Sequence, residues 1–350
     1  MSPQTLPFNP VSPPGSWILV TGVNGYVASH VADQLLQRGY KVRGTVRDPS
    51  KAQWTETLFR EKYGQGAFEL VRVEDMTVPG AFDHAVKGVS GITHVATVFG
   101  HSADLISSVV SANRNLLASA SRERTVRRFV YTSSSEAATF SSLHEHKHSK
   151  TRVGVDTWNE EVLRRIREPS PKAGFDTYAA SKTLGEQAVW EWAEEQKPGF
   201  VVNTVLPSVC FGASLDPKAQ GHASSSAWPA SILRNEFDRF WGFLQHVIPT
   251  GAYGVDVADV ALLHVAGLIH PGVQSERLFA FGGPFTWNGI IAFFRREFPH
   301  RSLPGDLPGG EHGVLEIEPA ERAEGLLREI GGSGWSGLEE TLRRNVEDLV

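Results

Sequence analysis

Cysteine is nearly absent. Cys210 is the single cysteine in 350 residues, which excludes a disulfide framework and a thiolate metal cluster. Long apolar runs are missing as well. No stretch of about 18 apolar residues occurs, so nothing predicts a membrane span. Residues 1–15 are rich in proline and serine and lack the basic start and apolar centre of a secretory leader. Cations are not in excess. Thirty-four Lys and Arg stand against 39 Asp and Glu, a net charge of −5, which gives no basic field for a nucleic acid. Internal repeats and low-complexity segments are also lacking. These absences predict a cytoplasmic protein with neither nucleic-acid nor membrane partners. What is present is 41% hydrophobic content, enough for one large domain or two interlocked ones.

The first 135 residues alternate short apolar runs with helical patterns. Trp17–Val20, Tyr40–Val46, Phe68–Val73, Ile92–Ala96 and Arg128–Thr132 read as strands. An amphipathic helix runs to about Arg38, where Gly39 stops it. Another spans about Ser107 to Arg122. Short buried strands separated by helices imply a parallel sheet covered on both faces. Right-handed crossovers make it an α/β, doubly wound Rossmann-type fold. Two later strands, Pro198–Leu206 and Arg277–Phe281, rejoin the pattern. The expected division places a nucleotide domain at 14–207, with 253–283 returning to it. A smaller substrate lobe takes 208–252 and 284–350, with contributions from about 141–175. Helical patterns at Ala320–Ile330 and Gly337–Leu349 close that lobe or support a subunit contact, and monomer and homodimer both remain open.

Between the first strand and first helix lies Thr21-Gly22-Val23-Asn24-Gly25-Tyr26-Val27-Ala28. Gly22 permits a tight turn, Gly25 lets backbone approach a pyrophosphate, and Ala28 allows helix and sheet to pack closely. The helix dipole and free amides of this turn favour phosphate charge. An NADH binder commonly ends its second strand with a carboxylate for the ribose diol. Here that place is Val46, followed by Arg47, with Lys51 nearby. Cations suit a 2′-phosphate, so the reading is NADPH / NADP+ over NADH. Asp48 caps the next helix or pairs with Arg47. Arg43 faces solvent or the phosphate. Asp75 and Met76, after the third strand, sit where an adenine edge would lie, with a turn cap as the other reading of Asp75. Ala96, at the end of the fourth strand, borders the same cleft.

Tyr178 and Lys182, in Tyr178-Ala179-Ala180-Ser181-Lys182, share one helix face at i,i+4. Upstream stands Thr132-Ser133-Ser134. A carbonyl that accepts a hydride gathers charge on its oxygen and needs a proton there. Tyr178 would give that proton. Lys182 and an oxidised nicotinamide would lower the phenol's pKa. Lys182 would also touch the nicotinamide ribose. Ser134 would hold the oxyanion, with Ser133 and Ser135 as its competitors.

At these residues the chain resembles the extended short-chain dehydrogenase/reductase family. Within it, the chain is most similar to fungal NADPH-dependent aldehyde and ketone reductases, related to dihydroflavonol and cinnamoyl reductases. The resemblance runs through Leu19–His30, Lys41–Asp48, Arg128–Ser134, Tyr178–Lys182, Leu206-Pro207-Ser208 and Val255–Ala261. It implies a small C-terminal lobe over the nicotinamide and reduction of a small-molecule carbonyl, keto esters included, to an alcohol. The family's catalytic serine falls on Ser134, its tyrosine on Tyr178, its lysine on Lys182 and its 2′-phosphate arginine on Arg47. Pro207 and the residues after it, Val209 among them, flank the nicotinamide in relatives.

The substrate pocket is less legible. Its candidates are Phe99, Glu136, Trp158, Ser208, His222 and Trp228, with Trp241 a further possible wall. The segment Ser141–Arg152 carries His144, His146 and His148 and departs from the family pattern. No cysteine or well-spaced acid joins these histidines, so the segment reads as a solvated loop near substrate entry and no metal is expected. The run Gln220–Trp228 reads as another pocket rim. Three rival functions share the cofactor site: a nucleotide-sugar epimerase or dehydratase, a hydroxysteroid dehydrogenase, and a nucleotide-binding sensor or scaffold without catalysis.

Overall fold

A computed structural model describes residues 6–98, 104–143, 150–167, 173–308 and 313–350. Twelve strands are assigned among these residues: β1 Trp17–Thr21, β2 Lys41–Val46, β3 Phe68–Arg72, β4 Gly91–His94, β5 Arg128–Thr132, β6 Lys150–Val153, β7 Val201–Pro207, β8 Val209–Phe211, β9 Gly251–Asp256, β10 Arg277–Ala280, β11 Gly283–Thr286 and β12 Val314–Ile317. Seven of them form a sheet in the order β10-β7-β5-β4-β1-β2-β3, every pairing parallel. The order reverses on either side of β1, so the carboxyl ends of β1 and β4 open a crevice there. The expected doubly wound sheet is borne out. β1, β4 and β5 are almost wholly buried, as a sheet covered on both faces requires.

Helices Tyr26–Gln37 and Val257–Ile269 cover one face of the sheet, and their apolar sides make a common core with β1, β2 and the helix Ala320–Glu329. The other face packs on helices Leu105–Arg122 and Ala173–Gln196. These two approach closely at Gly185. A β-carbon there would lie 2.9 Å from Val109 Cγ1 and 3.1 Å from the Tyr131 hydroxyl. Asn113 Nδ2 donates to the Gly185 carbonyl at 3.0 Å. The contact fixes the height of the long helix against β5.

Three features depart from the sequence reading. β9 does not join the large sheet but pairs with β8 and β11 in a three-stranded one, so the return to the nucleotide sheet begins with helix Val257–Ile269. Lys150–Val153, read as part of a solvated loop, forms a two-stranded parallel sheet with β12. The connection from β3 to β4 is built of turns rather than a helix. The smaller elements gather a separate aromatic core of Phe211, Phe237, Phe285, Trp287 and Phe294. Among the described residues no helix is long and apolar enough to cross a membrane.

Candidate active site

The glycine turn starts where β1 ends. Gly22 has φ +65°, and a β-carbon on it would stand 2.9 Å from the Ala96 β-carbon. Thr21 Oγ1 draws the β4 exit to the same point. It accepts from the amides of Val95 and Ala96, both at 3.0 Å, and bonds His94 Nδ1 at 2.9 Å. Burial pushes His94 down to about 3, so the imidazole is neutral. Gly25 N–H donates to the Gly22 carbonyl, and the first helical bond is Ser29 N–H to the Gly25 carbonyl. The amides of Tyr26, Val27 and Ala28 therefore have no partner inside their helix and point toward the crevice. Gly22→Ala combines an unfavourable positive φ with a steric overlap. It is expected to cost at least 1–2 kcal/mol, by the order of magnitude of a left-handed side chain, and to weaken dinucleotide binding; thermal melting with and without the dinucleotide reads both effects.

Arg47 is exposed just beyond β2 and makes no ion pair among the described residues. Its neighbours are engaged. Arg43 turns to Glu69 at 2.5 Å and to the carbonyls of Ala85 and Lys87, which removes it from the phosphate position. Asp48 caps the short turn Pro49–Lys51 by accepting from Ser50 N and Oγ, with Lys51 at 4.0 Å. Asp75 Oδ1 accepts from Thr77 N and Oγ1 in a turn cap, and Met76 is half-buried with its carbonyl bonded by Asn115.

On the other side of the crevice, Tyr178, Lys182 and Glu186 follow one another down one face of helix Ala173–Gln196. The serines after β5 separate by role. Ser134 is the extended residue that starts the turn Ser135–Ala137, and its Oγ accepts from Glu136 N at 3.2 Å. Its side chain also acts on the Tyr178 phenol, whose pKa it lowers. Ser133 turns the opposite way and donates to Glu186 Oε2 at 2.7 Å. Lys182 is buried, with Nζ 3.4 Å from the Thr132 carbonyl and 5.9 Å from the centre of the Tyr131 ring.

The titration of this pair differs from the sequence expectation. Burial pushes the Tyr178 phenol up to about 12; the Ser134 side chain opposes this and the Glu136 charge adds to it. Burial also brings Lys182 down to about 8, against the pull of Glu186. Desolvation, not the lysine, dominates the phenol in the protein alone.

The remaining candidates are spread more widely. Pro207 ends β7, and the Ser208 hydroxyl next to it bonds the Ala280 carbonyl at 3.1 Å. Val209 begins β8 and is half-buried. Tyr26 sends its hydroxyl to the Gly212 carbonyl at 2.8 Å, and Gln220 reaches the Asn24 carbonyl at 3.3 Å. The segment after β8 thus folds over the glycine turn. Glu136 is buried beside the serine edge, where Oε1 accepts from Ser141 N and Oγ. Trp158 lies under the Arg277 guanidinium, 3.9 Å from its ring centre. Trp228 packs edge-on against Trp287, and Trp241 lies 5.9 Å from the Phe237 ring. His222 sits 3.2 Å from Asp348 near the C-terminus. Phe99 and the histidines 144, 146 and 148 lie outside the described residues.

Two aromatic residues were not singled out from sequence. The Phe175 ring centre is 6.2 Å from that of Tyr178, and Phe243 is 6.4 Å beyond Phe175. Phe243 is 52% exposed. Phe175 stands three residues before Tyr178, a helical spacing visible in the sequence. Phe243 had no such signal.

A glycine turn at a sheet switch point, facing a helix that carries Tyr and Lys beside a serine, defines a dinucleotide-dependent enzyme of the short-chain type. The chain belongs to the NAD dependent epimerase/dehydratase family, whose sequence pattern matches residues 18–246. It is 35% identical to aldehyde reductase 2 of Sporidiobolus salmonicolor over 98% of this chain and 97% of the relative. It is 39% identical to ketoreductase adrE of Penicillium roqueforti over 97% and 98%. Among solved structures, Gre2 of Candida albicans in complex with NADPH superposes with a TM-score of 0.79 at 24% identity, covering 95% of this chain and 98% of that one. The last likeness shows the fold. The relatives bear out the expected family and its oxidoreductase class.

Proposed function

We propose that this protein reduces aldehydes and ketones to alcohols with NADPH. What supports this is that Tyr178 and Lys182 stand one turn apart on helix Ala173–Gln196 beside the serine edge after β5, with Ser134 acting on the phenol and Lys182 reaching the Thr132 carbonyl. Reduced nicotinamide, when bound, supplies the hydride. The three amides at the start of helix Tyr26–Gln37 fit a pyrophosphate, and exposed Arg47 fits a 2′-phosphate where a carboxylate would repel it. That preference, with the aldehyde reductase and the ketoreductase among the relatives, supports NADPH reduction over epimerase chemistry.

Ser134 orients the carbonyl oxygen by hydrogen bond. Tyr178, whose phenol stays protonated at neutral pH, gives its proton to that oxygen as negative charge develops. Lys182, cationic below about pH 8, stabilises the phenolate left behind and holds the nicotinamide ribose.

Phe175 and Phe243 extend an apolar wall outward from Tyr178. This supports a substrate with an aromatic or bulky apolar group beside its carbonyl. Phe243→Ala is expected to raise KM for an aromatic ketone about fivefold to tenfold, the order of a lost buried ring edge, while leaving a short aliphatic aldehyde unchanged.

The function is tested by following NADPH and NADH oxidation with an aromatic ketone, a β-keto ester, an aliphatic aldehyde and a diketone. Turnover of at least one with NADPH is expected. Bound NADPH without turnover of any would refute the reductase reading and leave the nucleotide-binding scaffold.

A further inference from the structure

Behind the proposed proton donor lies an ion pair with a fully buried carboxylate and a mostly buried guanidinium, which the reaction itself does not use. Glu186 has no exposed surface. Its Oε1 accepts from Thr204 Oγ1 at 2.7 Å, from Arg277 Nε at 2.8 Å and from Trp190 Nε1 at 3.2 Å. Its Oε2 accepts from Ser133 Oγ at 2.7 Å and Arg277 Nη2 at 3.1 Å. Arg277 is held in turn. Its Nη1 donates to the carbonyls of Val155 and Thr157, both at 2.7 Å, and its guanidinium stacks 3.9 Å above the Trp158 ring.

The carboxylate thus ties four pieces of chain together: the serine edge after β5, β7, β10 and the helix of Tyr178 and Lys182. A buried pair of this kind is a weak source of stability, because both ions surrender their hydration. A two-pronged, fully bonded geometry instead fixes position. Ser133 is adjacent to Ser134, and Glu186 lies one helical turn beyond Lys182. Any slip of the helix along the sheet would break bonds at both carboxylate oxygens.

We infer that Glu186, locked by Arg277, is a positioning residue that fixes the Tyr178–Lys182 helix against the Ser134 edge and sets an anion one turn beyond Lys182. The inference rests on the proposed reductase function and deepens it. Around Lys182 the other groups are Tyr178 on its own helix, Tyr131 and the Thr132 carbonyl on β5, and neutral His94 on β4; Arg277 on β10 faces it only through Glu186. Glu186 is therefore the anion that sustains the ammonium against burial. Because Lys182 titrates near 8, kcat for reduction is expected to fall as pH rises through that value.

The test compares the pH profile of kcat in the parent protein, Glu186→Gln and Glu186→Gln/Arg277→Met, with the carbonyl that the panel turns over best. Glu186→Gln is expected to lower kcat about tenfold, as loosened support of a reacting group does. Its alkaline limb should move down by about one pH unit, since the ammonium loses its anion. The double variant leaves no unpaired guanidinium and recovers Tm, yet keeps the displaced limb; it serves as the test if the single variant does not fold. A limb that stays at the parental pH in a folded variant, with only Tm changed, would overturn the inference and leave a structural ion pair. Absence of NADPH-dependent turnover in the parent would instead overturn the reductase reading, so the two failures are distinct.

Discussion

Tyr178→Phe is expected to lower kcat for carbonyl reduction by about a thousandfold, within the usual range for a lost general acid, while NADPH binds as before. The Ser134 side chain is the polar neighbour that lowers the phenol's pKa, and phenylalanine keeps the ring and its packing against Phe175. The loss therefore falls on the proton and not on the fold. Steady-state kcat alongside a fluorescence titration with NADPH separates the two. Turnover within tenfold of the parent would remove Tyr178 from the chemistry. The phenol's elevated pKa gives a second check. Protonated to about 12, Tyr178 does not limit reduction at pH 6–9, so any alkaline limb in that window belongs to Lys182. Lys182→Met should flatten the limb as well as slow the reaction.

The second large effect concerns cofactor choice. Arg47→Ala is expected to weaken NADPH about tenfold to thirtyfold, the order for one solvent-exposed charge-assisted contact to a phosphate, and to change NADH less than twofold. The residue is exposed and has no ion pair among the described residues, so its removal breaks nothing in the free protein. Dissociation constants for both dinucleotides before and after substitution measure the difference. Raising the salt concentration should narrow it, because exposed charges are screened. Equal losses for the two dinucleotides would mean that Arg47 supports the turn and not the phosphate.

Much of this molecule is written in short-range pattern. The alternation of buried runs and helices before residue 135 determined a parallel sheet, because only parallel strands need crossovers of that length. The glycine spacing after β1 and the i,i+4 pair Tyr178 and Lys182 were legible for the same reason: helix and turn geometry follow from residues a few positions apart. Ser134 was singled out by the family resemblance, with Ser133 and Ser135 as competitors that local pattern could not separate from it. Which one faces the phenol is decided by the twist of the chain leaving β5, which turns Ser133 to Glu186 and Ser134 to Tyr178.

Long-range partners were beyond the sequence. Arg277 meets Glu186 across 91 residues, β6 finds β12 near the far end of the chain, and Phe243 reaches Phe175 from another element. Each pairing depends on where whole elements dock, which no local propensity encodes. The direction of the Tyr178 and Lys182 shifts had the same origin. The sequence supplied the charges, but burial sets the dielectric in which they act, and burial is a property of the folded molecule alone.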